Sequence, residues 1–91
     1  MKYQLSGLNK ISENEMESII YPNPNNGKFN LTNIGIGDVL EILDLTGKLI
    51  FHMVAKDGSV TIDLKGKEEG VYDLIIHKSK ITLNKKLIIT K

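Results

Sequence analysis

Nine residues, Tyr21-Pro22-Asn23-Pro24-Asn25-Asn26-Gly27-Lys28-Phe29, constrain this chain more than any other stretch. Two prolines at alternate positions supply no backbone N–H, hold φ at about −65° and bias the preceding residue toward extended geometry. No helix passes through them, and Tyr21 to Pro24 is expected to run extended, with the isomer of Asn23-Pro24 left open. Asn25 and Asn26 have side chains that cap their own backbone, and Gly27 takes positive φ without a clash, so the chain turns back here. On physical grounds alone the segment is a corner between two strands.

Period-two alternation marks the strands. Ser18 to Tyr21 is a short one, closed by Pro22. Lys28 to Thr32 alternates strictly, with Phe29 and Leu31 on one face. Asp38 to Asp44 has Leu40 and Ile42 opposite Val39, Glu41 and Leu43; apolar side chains on both faces place it centrally in a sheet. Asp44-Leu45-Thr46-Gly47-Lys48 is a tight hairpin turn, with Asp at its first position and Gly where φ becomes positive, leading into a strand from Lys48 to Val54. Asp57-Gly58 predicts a second hairpin into Ser59 to Leu64, with Val60, Ile62 and Leu64 inward. Gly70 opens Val71 to His77, with Tyr72, Leu74 and Ile76 on one face, and His77 to Lys80 turns the chain into a last strand, Ile81 to Ile89. Seven short strands with regular turn signals predict an all-β fold, an antiparallel seven-stranded β-sandwich of immunoglobulin-like type; a small closed barrel is the alternative. Met1 to Glu17 does not join this pattern. Leu5, Leu8 and Ile11 recur near helical spacing, but Ser6, Gly7 and Asn9 interrupt them and Glu13, Glu15 and Glu17 follow, so residues 1–17 are expected to be a linker or tail, with a short helix as the alternative.

Charge and composition exclude several classes. The formal net charge is +1, and the basic residues, all lysine, are dispersed rather than gathered into a patch, which argues against nucleic acid as a partner. No run approaches the roughly 20 apolar residues of a membrane-spanning helix, so membrane insertion is not expected. With no Cys there is neither a disulfide nor a thiolate metal site. The first residues here lack the apolar stretch of a secretory signal, so work outside the cytoplasm is expected to involve a longer precursor.

Candidate chemistry is sparse. His52 and His77 lie in separate strands without metal-ligand spacing. Asp38, Glu41 and Asp44 carry the hard oxygens calcium prefers, yet Asp38 and Glu41 fall on opposite faces of one strand. Ser59 and Thr61 have no neighbouring base, so no nucleophile is expected. Tyr72 fits either a core ring or a loop-locking tyrosine corner. Lys85 and Lys86 protect a strand edge from unwanted pairing, or form part of a docking surface. No catalytic, metal or cofactor site is assigned.

Four segments in order carry a resemblance: Tyr21-Pro22-Asn23-Pro24 with Gly27 and Phe29; Leu40 to Ile50 with its Asp44, Gly47 and Lys48 turn; Gly70-Val71-Tyr72; and Lys85-Lys86-Leu87-Ile88-Ile89. Together they resemble the type A C-terminal sorting domains of the type IX (Por) secretion system of Bacteroidetes, over roughly residues 18–91. Leu43 stands where that family often has an aromatic, and Asp73 where a hydrophobe is common. The resemblance implies a non-catalytic secretion signal behind an N-terminal cargo domain, in transit through the periplasm and then at the cell surface or secreted. Its implied partners are the type IX translocon and a surface sortase that cuts within residues 1–17. Phe29, Ile42 and Tyr72 are expected in the core, and the docking edge is assigned to the last strand with Lys85, Lys86, Leu87, Ile89 and Lys91. An edge-strand dimer is a further option. The rival reading is a small binding or adhesion module of a secreted protein, though the absence of Trp leaves little stacking platform for carbohydrate.

Overall fold

The computed structural model describes residues 18–91, so the linker expected at residues 1–17 lies outside the described residues. Seven strands follow one another: β1 (Ile19–Tyr21), β2 (Lys28–Thr32), β3 (Val39–Leu43), β4 (Leu49–Val54), β5 (Ser59–Asp63), β6 (Gly70–His77) and β7 (Thr82–Ile89). They form two antiparallel sheets, β1-β2-β5 and β4-β3-β6-β7. This is the β-sandwich the alternation predicts, and β3 is indeed internal to its sheet. The tight Asp44–Lys48 turn keeps β4 beside β3, which makes the second sheet four strands wide.

The core lies between the sheets and is made of the alternate residues that face inward. Ile20, Phe29, Leu31 and Ile62 come from one sheet; Leu40, Ile42, Tyr72, Leu74, Ile76, Leu87 and Ile89 come from the other, and all are buried in one cluster. Each such side chain contributes about 1.5–3 kcal/mol by leaving water, which is what a small sheet needs to offset chain ordering. Phe51, Met53 and Val60 pack partly against the same cluster. Phe29, Ile42 and Tyr72 are core residues, as expected.

Three expectations change. Asp57-Gly58 does not close a hairpin: β4 pairs with β3 and β5 pairs with β2, so this turn carries the chain from one sheet to the other. The turn chemistry is the same in both cases, and only the pairing partner differs. The proline segment bends rather than extending, and both Tyr21-Pro22 and Asn23-Pro24 are cis. The last strand begins at Thr82, with Ile81 exposed in the turn before it.

Candidate functional site

The corner is held by bonds to the far end of the chain. Asn23 acts through its side chain as a substitute peptide group: its Nδ2 donates to Lys86 O at 3.0 Å, and its Oδ1 accepts from Ile88 N at 2.9 Å. Asn25 continues the pairing with its backbone, donating from N to Ile88 O at 2.9 Å and accepting at O from Thr90 N at 2.7 Å. A short parallel bridge between Asn25 and Ile89 results. Asn23 and Asn25 thus fill the outer edge of β7 from Lys86 to Thr90, where a fifth strand of this sheet would otherwise bind.

Asn25 is buried, and its side chain is satisfied locally. Its Nδ2 donates to Pro22 O at 2.9 Å, and its Oδ1 accepts from Gly27 N at 2.8 Å. Asn26 makes the weaker exposed version of this bond, accepting from Lys28 N at 3.2 Å. Self-capping by both asparagines therefore follows expectation. Gly27 has φ of +112°, and a Cβ there would stand 2.9 Å from Lys65 Cα, so two independent requirements select glycine. The close approach exists because Leu64 N donates to Gly27 O at 2.7 Å.

The other motif residues surround the same end of the sandwich. Gly70 pairs with Ile89 across β6 and β7, and the Tyr72 hydroxyl donates to Glu68 O while its ring is buried, so Tyr72 is both core ring and loop lock. The Asp44 turn lies at this end on the neighbouring strand, since Leu43 is opposite Asp73. Its carboxylate accepts from the Thr46 hydroxyl at 2.6 Å, Thr46 N at 2.9 Å and Lys48 N at 3.0 Å, and Gly47 takes φ of +87°. The Thr46 hydroxyl, followed by the Lys48 N–H, holds the Asp44 carboxyl below its ordinary pKa.

The expected docking residues divide. Leu87 and Ile89 are fully buried side chains of the core, and Lys91 is tied back, with Nζ donating to Lys65 O at 2.6 Å and N to Glu69 Oε1 at 3.1 Å. Lys86 is exposed and ion-paired with Asp73, directly opposite in register, at 2.6 Å. Lys85 and Lys86 line a shallow groove with Asn84, Asn23, Ser18 and Ile19, between the edges of the two sheets. At the opposite end of the molecule Asp38 is buried, accepting from Gly35 N at 2.8 Å and from Lys78 Nζ at 2.6 Å. Burial is the largest influence on the Asp38 carboxyl and pushes its pKa up, but Lys78 and the Gly35 N–H together bring it below the ordinary value. Glu41 meets His77 on the outer face of the four-stranded sheet at 2.7 Å. The reach of Asn23 and Asn25 to β7 is what sequence reasoning missed: it spans more than sixty residues, and nothing local to either segment signals it.

Comparison with known proteins follows the same outline. No helix among the described residues is long and apolar enough to cross a membrane. The chain is similar in structure to PorZ, described as an essential bacterial surface component of the type IX secretion system of Porphyromonas gingivalis, with a TM-score of 0.71 and 20% identity over 81% of this chain. The chain spans only 11% of that much longer structure. Comparison with curated proteins finds no sequence match. The family model of the secretion system C-terminal sorting domain matches residues 19–90, from the first strand to the residue after the last, and the chain belongs to that family.

Proposed function

We propose that this domain is the type A export signal of a larger secreted protein, read by the type IX translocon at the outer membrane after transit through the periplasm. A surface sortase then cuts within residues 1–17, leaving the cargo at the cell surface or in the medium. The domain works as a recognition element and performs no chemistry of its own. One observation carries the reading of how it docks: the corner consumes the β7 edge from Lys86 to Thr90, so strand addition is directed to the residues before it, 82–85, beside the groove of Lys85 and Lys86. Polar and basic side chains along the short stretch of edge that the corner does not cover suit recognition by backbone pairing with charge for register. The motif residues of the corner then act by fixing that edge rather than by touching a receptor.

The test is a fusion of residues 1–91 behind a signal peptide and a folded fluorescent reporter, expressed in a Bacteroidetes strain with and without a working translocon. Translocon-dependent appearance at the surface or in the medium is expected. Asn84→Pro, which blocks the outward edge without touching the corner, should leave the reporter in the periplasm although the domain remains folded. Periplasmic retention of the unmutated fusion in both strains would refute the export role, and wild-type export of Asn84→Pro would refute the edge.

A further inference from the structure

The four sheet edges are not equally defended. β1 is three residues long, β5 alternates with polar Ser59, Thr61 and Asp63, and β7 carries Lys85 and Lys86 and is half covered by the corner. β4 differs from all of them. It is the outer strand of the four-stranded sheet, and its six residues, Leu49-Ile50-Phe51-His52-Met53-Val54, include no Asp, Glu, Lys or Arg and no proline. Leu49 and Val54 are about half exposed. Among the described residues no strand pairs with its outer side, and an apolar edge of this length is a template for another strand.

The backbone shows which groups are offered. Ala55 N donates to Asp38 O and Ala55 O accepts from Gly37 N, both at 2.8 Å, so Ala55 turns its peptide groups toward β3. Two-residue alternation then turns Met53 and Phe51 the same way, and leaves His52 and Val54 presenting N–H and C=O outward. We infer that β4 pairs antiparallel with β4 of a second copy, about a twofold axis at His52. In that register His52 is opposite its own counterpart, and Phe51 is opposite Met53 of the other copy on the core-facing side, a sulfur–aromatic contact. A second copy suits the paired part of this edge: a charged strand would desolvate its charges against Phe51 and Met53, whereas residues 50–54 bring no Asp, Glu, Lys or Arg. Lys48 and Lys56, which this register sets opposite each other, lie at the exposed ends beyond them. The self-pairing also matches the five residues 50–54 with the same five of the other copy and joins two four-stranded sheets into one. The inference is independent of the export role.

A chain without Cys makes the register directly testable. Hydrogen-bonded antiparallel partners stand about 5.5 Å apart at Cα, within the span of a disulfide. His52→Cys in the 1–91 protein is therefore expected to give a covalent dimer under mild oxidant, and Thr61→Cys, on β5, to give little under the same conditions. Sedimentation velocity of the unmutated protein from about 10 to 500 μM should show a monomer–dimer equilibrium that Val54→Lys weakens at least tenfold and Val71→Lys, off the edge, does not. Far-UV circular dichroism and urea midpoints verify that each variant is folded. A monomer throughout that range would assign the edge to some other chain and overturn the proposal. So would cross-linking at residue 61 equal to that at residue 52, or a dimer indifferent to Val54→Lys.

Discussion

Two adjacent, chemically identical side chains, Asn25 and Asn26, make opposite demands on stability. Asn25→Ala removes the acceptor of the buried Gly27 N–H and the donor to the Pro22 carbonyl. Leaving the buried N–H without a partner costs about 1–3 kcal/mol, and the half-exposed carbonyl, which water reaches, about 0.5–1.5 kcal/mol. The sum is roughly 2–4 kcal/mol, against a total of about 5–10 kcal/mol for a domain this small. At about 4–8 °C per kcal/mol the midpoint falls by roughly 8–32 °C. Asn26→Ala removes one exposed 3.2 Å bond and should change stability by no more than about 0.5 kcal/mol. Urea unfolding of both variants, followed by far-UV circular dichroism, measures the contrast. An Asn25→Ala protein within about 0.5 kcal/mol of the unmutated one would refute the view that this side chain holds the corner.

Other outcomes follow from the same geometry. Gly27→Ala forces a Cβ at positive φ against the Lys65 backbone and should cost about 2–5 kcal/mol, read as a lower urea midpoint; a shift under about 1 kcal/mol would mean that the two segments part easily. Tyr72→Phe keeps the ring and loses the bond to Glu68 O, for about 0.5–1.5 kcal/mol in the same assay. Asp38 titrates below its ordinary value when folded, so its ion pair with Lys78 contributes fully above the unfolded value of about 3.9 and is lost as pH falls through the lower folded value. Urea midpoints between pH 6 and pH 2.5 should therefore fall less steeply in Asp38→Asn than in the unmutated chain; equal slopes would rule out this carboxylate as a contributor.

Most of the sandwich was legible because its strands are half-buried and alternate. Lys28 to Thr32 matches its strand residue for residue, and Gly47 and Gly70 stand at positive φ beside the strands they delimit. Asp57-Gly58 shows where local reading stops. An Asp-Gly turn reverses direction whether the next strand joins the same sheet or the opposite one, and the choice rests on β5 finding β2 across twenty-six intervening residues. The edge residues repeat the lesson. Leu87 and Ile89 belong to a strand correctly placed at a sheet edge, yet an edge strand still sends every second side chain to the core. The role of Asn23 was hidden for a different reason, since an amide that imitates a peptide group across a sheet has the same local signature as one in any turn.

The bonds between the corner and β7 make the domain sensitive to its own completeness. Three of the four depend on Ile88 and Thr90, residues laid down more than sixty positions after the corner. A chain interrupted at Asn84 retains the Pro22–Gly27 turn and most of the pairing partners of β2 and β3, but has nothing for Asn23 and Asn25 to grip. It also exposes the flank of β6 and drops Leu87 and Ile89 from the core. Shortened chains and full ones therefore differ in cooperative closure rather than by a graded loss. Whatever reads the closed shape reads, in the same act, whether the polypeptide was made through Thr90.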